Sequence, residues 1–559
     1  MAAFDHRKYL PFRPIGLKDR TWPDRVIERA PQWCSVDLRD GNQALIEPMN
    51  VAQKMQMFDL LVKVGFKQIE VGFPAASQPD FDFVRRLIDG GHIPDDVTVQ
   101  VLTQSRPELI ARTFEALQGV KRAIVHLYNS TSTVQREQVF GLDRAGITKI
   151  ATDGAKLVKE TAARHPGTEW IFEYSPESFT GTELDYAVEI CNAVIDVWQP
   201  TPARKCIVNL PSTVEMATPN IYADQIEWFC RHVARRDAIL ISLHTHNDRG
   251  CAVAAAELAV MAGADRVEGT LLGNGERTGN MDIVTMGMNL YSQGIDPGLD
   301  FSRMDEIIRC VTACTQMPVH PRHPYAGELV FTAFSGSHQD AIKKCLAKRG
   351  EEQPWEVAYL PIDPTDLGRS YQEVIRINSQ SGKGGVAYVL EQQAGYQLPR
   401  WLQIDFSGVV QKYAEAIEAE VEAERIVALF DEHYLGQRSP FELAGYQLTR
   451  EHDEDRLKAN LREAGATVSL HGKASGVVGA FVAALEQHTG KRLVLVEYSE
   501  HTMSSSAGAG ADAVTYVQIN VDGTRYCGVG RSSDIVEASL RAILSAVNQQ
   551  ASVAPGIAA

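Results

Sequence analysis

His244 and His246 stand two residues apart at the end of an apolar run, in the stretch SLHTHNDRG at 242–250. In an extended strand, residues i and i+2 share a face. Leu240, Ser242, His244 and His246 therefore lie on one side, and Ile239, Ile241 and Leu243 on the other. Two imidazoles side by side at a strand end can give two nitrogen ligands to one metal ion. The competing reading is a pair of hydrogen-bonded histidines in a polar loop. A metal needs further ligands. Asp40 in LRDGNQ offers a carboxylate, and Asn280 in GNGERTGN offers an amide oxygen or, equally, a helix N-cap ahead of MDIVTMGMNL. Mixed nitrogen and oxygen ligation with open positions suits a divalent Lewis acid, Mg, Mn or Zn, that polarises a carbonyl. Arg39, beside Asp40, is placed to stabilise an enolate or alkoxide. Glu177 in SPES and Thr213 in PSTVE are polar residues that read equally as ordinary loop residues. The glycines of GNGERTGN, with Glu276 and Arg277, can cradle a phosphate through backbone N–H groups, although the spacing is not that of a nucleotide-triphosphatase loop.

These residues need elements to gather them. From about residue 31 to 300, β-rich runs alternate with helix-like stretches. The runs are WCSVDL, QIEVGF, VTVQVL, RAIVHL, WIFEYS, KCIVNL, AILISL and DRVEGTLL. Between them lie segments such as NVAQKMQMFDLLVKV and GCAVAAAELAVMAGA. This rhythm predicts a (β/α)8 TIM barrel over 31–305. A doubly wound open sheet is the rival, but no GxGxxG follows the first run. In a barrel the loops after the strands form the active-site face, so RDGNQ, SPES, PSTVE, HTHNDRG and GNGERTGN converge. The first strand closes against the eighth, which brings Asp40 to the histidines; Asp40 lies too far upstream to cap the helix that begins near Asn50. Residues 1–30 form an N-terminal extension, and 306–435 read as mostly helical, with a Gly-rich stretch, NSQSGKGGVAY, at 378–388. A small α+β module follows at 436–559, with strands in ATVSLHG, KRLVLVEYSEH, VTYVQINVD and TRYCGVG and a disordered tail, ASVAPGIAA.

Bulk composition narrows the partners. With 44% hydrophobic and 23% charged residues, the chain of 559 is an ordinary globular protein. A net charge of -16 disfavours nucleic acid and anionic membranes. The nine cysteines are scattered with no CxxC, which implies reduced thiols and a cytoplasmic location. Cys310 and Cys314, one helical turn apart, read as one face of a helix. There is no signal-peptide core and no apolar run that could span a bilayer.

The stretches DLRDGNQAL, LHTHNDRGCAVAAAELAVMAGADRVEGTLLGNGERTGN and NSQSGKGGVAY together closely resemble the 2-isopropylmalate synthases, in the longer type also found in actinobacteria and fungi. The resemblance covers essentially the whole chain, and SPESFTGTELDYAV and SGSHQDAIKK narrow it to this family. It implies an acyltransferase that converts the acyl group into alkyl on transfer. Acetyl-CoA loses a methyl proton, attacks the keto carbon of 3-methyl-2-oxobutanoate, and thioester hydrolysis releases CoA and 2-isopropylmalate, the first committed step to leucine. It implies Asp40, His244, His246 and Asn280 as ligands of Mg, with Mn or Zn as alternatives, and K+ as an activator. Arg39, His126, Ser175, Glu177 and Thr213 would bind substrate, and Arg39, Glu177, His338 and Tyr371 would be catalytic. The last two are lent to the neighbouring subunit's site, so a homodimer with shared active sites is expected. From spacing alone, His338 reads as a residue near a helix N-terminus and Tyr371 as half-buried packing. The C-terminal module resembles the family's leucine-binding regulatory domain. In its loop AGAGADA, Gly508, Gly510, Ala511 and Ala513 can let a ligand approach backbone closely, or simply make a flexible loop. Rival readings are a homocitrate or citramalate synthase, from which a methyl or two separates selectivity by only about 1–3 kcal/mol, a metallohydrolase barrel, and a non-catalytic leucine sensor. A metallohydrolase carries its H-x-H on the first strand rather than the seventh, and intact Arg39, Asp40, His244 and His246 argue against a sensor.

Overall fold

A computed structural model describes residues 5–333, 335–350, 353–369, 383–417, 421–503 and 512–552. The chain divides into two compact units, Met1–Val330 with Pro364–Arg369, and Phe331–Asp363 with Ser370–Ala559.

The first unit is built on a closed barrel of eight parallel strands, β1 (Gln32–Ser35), β2 (Gln68–Gly72), β3 (Thr98–Gln104), β4 (Arg122–Ser130), β5 (Glu169–Glu177), β6 (Cys206–Ser212), β7 (Ile239–Thr245) and β8 (Arg266–Gly269). Each strand pairs with the next, and β1 closes on β8 with Trp33 opposite Val267. The strands are short, continuous runs because both faces are covered, one by helices and one by the barrel interior. Ile239, Ile241 and Leu243 are fully buried. The helices are α1 (Val51–Val64), α2 (Gln78–Asp89), α3 (Pro107–Ala116), α4 (Arg144–Ala163), α5 (Leu184–Trp198), α6 (Pro219–His232), α7 (Ala252–Met261) and α8 (Ile283–Tyr291).

α1 shows how the sequence sets one such element. Asn50 caps it, accepting from the Gln53 N–H while the Gln53 side chain accepts from the Asn50 N–H. Gly65 at φ 114° ends it, in a left-handed conformation that a side chain would strain. Met57, Phe58, Leu61 and Val64 turn inward between cap and stop. A ninth helix, α9 (Met304–Thr315), buries Cys310 and Cys314 on one face, their thiols donating to Gln56 and Gln53 carbonyls of α1. The N-terminal extension is strapped down by the Trp22 indole N–H, which donates to Asp224 of α6 at 2.7 Å. The expected barrel is therefore present, with β3, β4, β5, β6 and β7 running past the carboxyl ends of their apolar runs and β1, β2 and β8 stopping short of them. Ser175 and Glu177 belong to β5 itself rather than to the loop after it.

The second unit opens with α10 (Gly336–Lys348) and continues through α11 (Lys383–Ala394), α12 (Arg400–Ile417) and α13 (Ala423–Phe430). Leu390, Leu402, Phe406 and Phe430 from these helices share a core with Val514, Tyr516 and Val529 of the sheet beyond them. Two βββα units follow. Strands β9 (Phe441–Glu451), β10 (Glu454–Glu463) and β11 (Ala466–Ala474) form one antiparallel sheet followed by α14 (Val477–Thr489). Strands β12 (Leu493–Thr502), β13 (Ala513–Val521) and β14 (Thr524–Ser532) form the second, followed by α15 (Ile535–Ser552). The charge-rich stretch 441–463, whose pattern marks only the start of a further unit, thus holds two strands. In β10 only Asp455, Leu457, Ala459 and Leu461 turn inward, an alternation diluted by Arg456, Lys458 and Arg462. Among the described residues no helix is long and apolar enough to cross a membrane.

Candidate metal centre and the cavity above it

The paired histidines end β7, and the barrel closure brings Asp40 to them. Asp40 sits on a single helical turn, Asp37–Gly41, directly after β1. Its Oδ2 lies 3.1 Å from His244 Nε2 and 3.6 Å from His246 Nε2, and the two imidazole nitrogens are 3.2 Å apart. All three side chains are buried. Asn280 approaches through a short bridge between its backbone and that of His246. Its side-chain N–H donates to Asp40 Oδ2 at 2.8 Å, while its buried Oδ1 has no hydrogen-bond partner. Three ligand atoms about 3 Å apart with an orphaned amide oxygen beside them fit a single divalent ion at bond lengths of about 2.0–2.2 Å.

Asn280 does not cap the following helix. Asp282 does, its Oδ1 accepting from the Val284 N–H at 3.0 Å. The glycines of GNGERTGN allow close packing around Asn280. A Cβ on Gly275 would lie 2.5 Å from Asn280 Oδ1, and one on Gly279, at φ 100°, would lie 2.0 Å from the Gly273 carbonyl. Arg277 turns to Asp248, with its Nε 2.7 Å from Oδ1.

Electrostatics at the centre are strongly biased. Burial opposes ionisation of Asp40, but Arg39 and the two histidines hold it well below the usual carboxylate range. Burial also opposes charge on His244, yet hydrogen bonds to Asp40 and Glu268 push it up to about 9. His246 is pushed down to about 4 by burial and by the neighbouring His244.

Above this centre is a cavity of about 330 Å³, lined by Arg39, Asp40, His126, Ser175, Glu177, Thr213, His244 and His246, with an apolar side from Phe73, Leu102, Tyr128 and Pro211. Arg39 is not a surface arginine. It is buried, with Nη1 2.6 Å from Asp40 Oδ1 and Nε 2.6 Å from Glu70 Oε2. His126 pairs through Nε2 with Ser175 Oγ at 2.7 Å and through Nδ1 with Glu70 Oε1 at 2.9 Å. The Ser130 hydroxyl donates to Glu177. Thr213 Oγ1 accepts from the Ser178 N–H at 2.9 Å. The barrel mouth therefore gathers nine of the expected site residues in one place: Arg39, Asp40, His126, Ser175, Glu177, Thr213, His244, His246 and Asn280.

Four supporting residues escaped the sequence pattern: Glu70, Gln100, Asn209 and Glu268 are all buried inside the barrel. Their signal is present, because each is a polar residue inside an otherwise apolar run, in QIEVG, TVQVL, CIVNL and DRVEG. A polar side chain at an inward position of a barrel strand must find partners.

Outside the barrel, His338 lies in the first turn of α10 and stacks on Tyr359, ring centroids 3.8 Å apart. Ala513 opens β13 and is buried. Tyr371, Gly508, Gly510 and Ala511 lie outside the described residues.

Comparison with known proteins covers nearly the full chain. Residues 30–311 match a family model described as HMGL-like, 328–391 one described as alpha-isopropylmalate synthase, post-catalytic domain-like, and 420–551 one described as LeuA allosteric (dimerisation) domain. A 2-isopropylmalate synthase of Azotobacter vinelandii is 56% identical over 552 residues, 98% of this chain and 98% of the relative. One from Azoarcus sp. is 56% identical over 99% of this chain and 97% of the relative. One from Parafrankia sp. is 57% identical over 97% of each.

Proposed function

The chain belongs to the 2-isopropylmalate synthase family, and on that premise we propose how its residues divide the work of condensing acetyl-CoA with 3-methyl-2-oxobutanoate in leucine biosynthesis. The observation that carries the reading is the convergence of Asp40, His244 and His246 at the floor of a cavity that also presents Arg39, His126 and Glu177. Asp40, His244, His246 and Asn280 would hold a divalent ion, Mg with Mn or Zn as substitutes. That ion, when bound, supplies a Lewis acid that polarises the keto oxygen of the oxoacid.

The rest falls to the side chains. His126, Ser175 and Thr213 seat the oxoacid, and the apolar wall of Phe73, Leu102 and Pro211 receives its branched end. Arg39, locked between Asp40 and Glu70, directs its guanidinium at the charge that develops on the oxygen during attack. Removal of the acetyl methyl proton is assigned to the set Glu177, His338 and Tyr371. The new bond joins the methyl carbon to the keto carbon, and water then cleaves the thioester to release CoA. We assign His338 and Tyr371 to the neighbouring subunit's site, in a homodimer supported by the dimerisation-domain match at 420–551. The same module is proposed to bind leucine through Gly508, Gly510, Ala511 and Ala513 and to inhibit the barrel. K+ is proposed as an activator. Nine free thiols suit the reducing cytoplasm.

The test is thiol release from acetyl-CoA with 3-methyl-2-oxobutanoate, pyruvate and 2-oxoglutarate in parallel, each with and without EDTA. EDTA-sensitive release fastest with 3-methyl-2-oxobutanoate is expected. Release that survives EDTA overturns the metal assignment, and a preference for another oxoacid overturns the substrate. Initial rates unchanged at millimolar leucine overturn the feedback assignment.

A further inference from the structure

The buried polar side chains under the cavity form a closed ring. Asp40 Oδ2 meets His244 Nε2 at 3.1 Å, and His244 Nδ1 reaches Glu268 Oε2 at 2.8 Å. Asn209 Nδ2 donates to Glu268 Oε2 at 3.3 Å and to Ser175 Oγ at 3.0 Å. Ser175 joins His126 at 2.7 Å, and His126 joins Glu70 at 2.9 Å. Glu70 accepts from Arg39 at 2.6 Å, and Arg39 returns to Asp40 at 2.6 Å. Gln100 crosses the ring, its side-chain N–H group donating to Glu70 at 3.1 Å and to Glu268 at 3.0 Å.

Glu268 is the junction. It is 1% exposed and touches neither the cavity nor the candidate ligand position. Its two oxygens accept from four side chains on four strands: Gln100 of β3, Asn209 of β6, His244 of β7 and Arg266 of β8. The bond from His244 Nδ1–H to Glu268 fixes the ring so that Nε2, the nitrogen that would bind a metal, faces Asp40 and His246. Carboxylates that take the second N–H of a ligating imidazole set its orientation and basicity. The opposite oxygen is anchored by the guanidinium of Arg266 at 2.8 Å, so Glu268 cannot follow if His244 drifts.

We propose that Glu268 is a positioning residue that holds His244 in its ligating tautomer and ties it, through Asn209 and Ser175, to the oxoacid-seating His126. This rests on the reading of Asp40, His244 and His246 as metal ligands. A neutral amide at 268 still fills the space but no longer accepts from all four donors. Metal affinity then falls 10–100-fold, the range for loss of such a support, and the KM for the oxoacid rises together with it.

Metal-stripped full-length protein is titrated with Co2+, read by its visible ligand-field bands, for wild type, Glu268→Gln and Glu268→Asp. The expected result is at least tenfold weaker Co2+ binding with altered bands in Glu268→Gln, and a smaller loss, above threefold, in Glu268→Asp. Circular dichroism identifies folded variants, and Glu268→Asp carries the test if Glu268→Gln does not fold. A folded variant that binds Co2+ within threefold of wild type, with unchanged bands, overturns the proposal. Wild type that shows no ligand-field bands overturns instead the metal reading beneath it.

Discussion

Two groups of three buried ligand-type side chains stand in the same barrel. One is Asp40, His244 and His246; the other is His126, Glu173 and Glu268. By composition either could bind a cation. The second already faces one. The guanidinium of Arg266 is fully buried, with Nη1 2.8 Å from Glu268 and 3.5 Å from Glu173, and its other N–H groups donate to Gln68, Ser242 and Gln100. In the first group Arg39 bonds Asp40 on Oδ1, leaving Oδ2 directed at the imidazoles. The difference shows that a residue list does not separate a metal centre from a structural network. The deciding feature is whether the protein's own cation occupies the middle.

The comparison breaks most severely at His244. His244→Ala removes a central ligand and is expected to abolish metal uptake and reduce turnover at least 10³-fold while the circular dichroism spectrum stays native. Metal stoichiometry near one with wild-type kcat would erase the distinction between the groups. Next is Arg266→Met, which fills similar volume but leaves Glu268 without its cation. Breaking a buried ion pair from one side costs about 3–5 kcal/mol, so the denaturation midpoint of the variant should fall sharply. A variant as stable as wild type would show that Arg266 is not what satisfies the second group. Gly275→Ala is smaller in effect. Its Cβ would sit 2.5 Å from Asn280 Oδ1 and push the amide away from Asp40. Roughly tenfold weaker metal binding is expected by isothermal titration, with stability of the second unit unaffected; unchanged affinity would remove Asn280 from the ligand set.

The contrast also explains what was legible in the sequence. The eight strands were readable because both faces of each are buried and the runs are continuously apolar. His244 and His246 were readable because period two places both on one face, and Asp40 because barrel closure is a topological rule rather than a local one. Arg266, Glu268, Gln100 and Asn209 are equally interior, but single polar residues in apolar runs carry no spacing of their own; their meaning arises only when four strands meet. Asn280 was ambiguous for a related reason. Helix caps and amide ligands use the same residue type, and only the chain path that gives the cap to Asp282 separates them. His338 stacks on Tyr359 far along the chain, and no local pattern announces it. In β10 the alternation is present but diluted by charge, because one sheet face is covered and the other carries Arg and Lys, while β9 buries only Phe441.

A last test sharpens the comparison from inside the second group, with an effect spread over several pH units. Neither carboxylate oxygen of the buried Glu173 has a hydrogen-bond partner, and burial pushes its carboxyl up to about 8. Arg266 and His126 favour its charged form but do not overcome that burial. Arg266 therefore serves Glu268, while Glu173 holds a proton. The native state binds this proton up to about 8, whereas the unfolded chain releases it near 4.5. The stability Glu173 contributes is complete below about 4.5 and is lost as pH rises towards and through 8. The slope is bounded by about 1.36 kcal/mol per pH unit. Glu173→Gln is neutral throughout, so the difference in unfolding free energy between wild type and variant should shrink in wild type's disfavour from pH 5 to 8. Denaturant titrations with saturating divalent metal, which keeps the first group from titrating, measure it. Parallel curves would mean that Glu173 is ionised in the fold and that Arg266 serves both carboxylates.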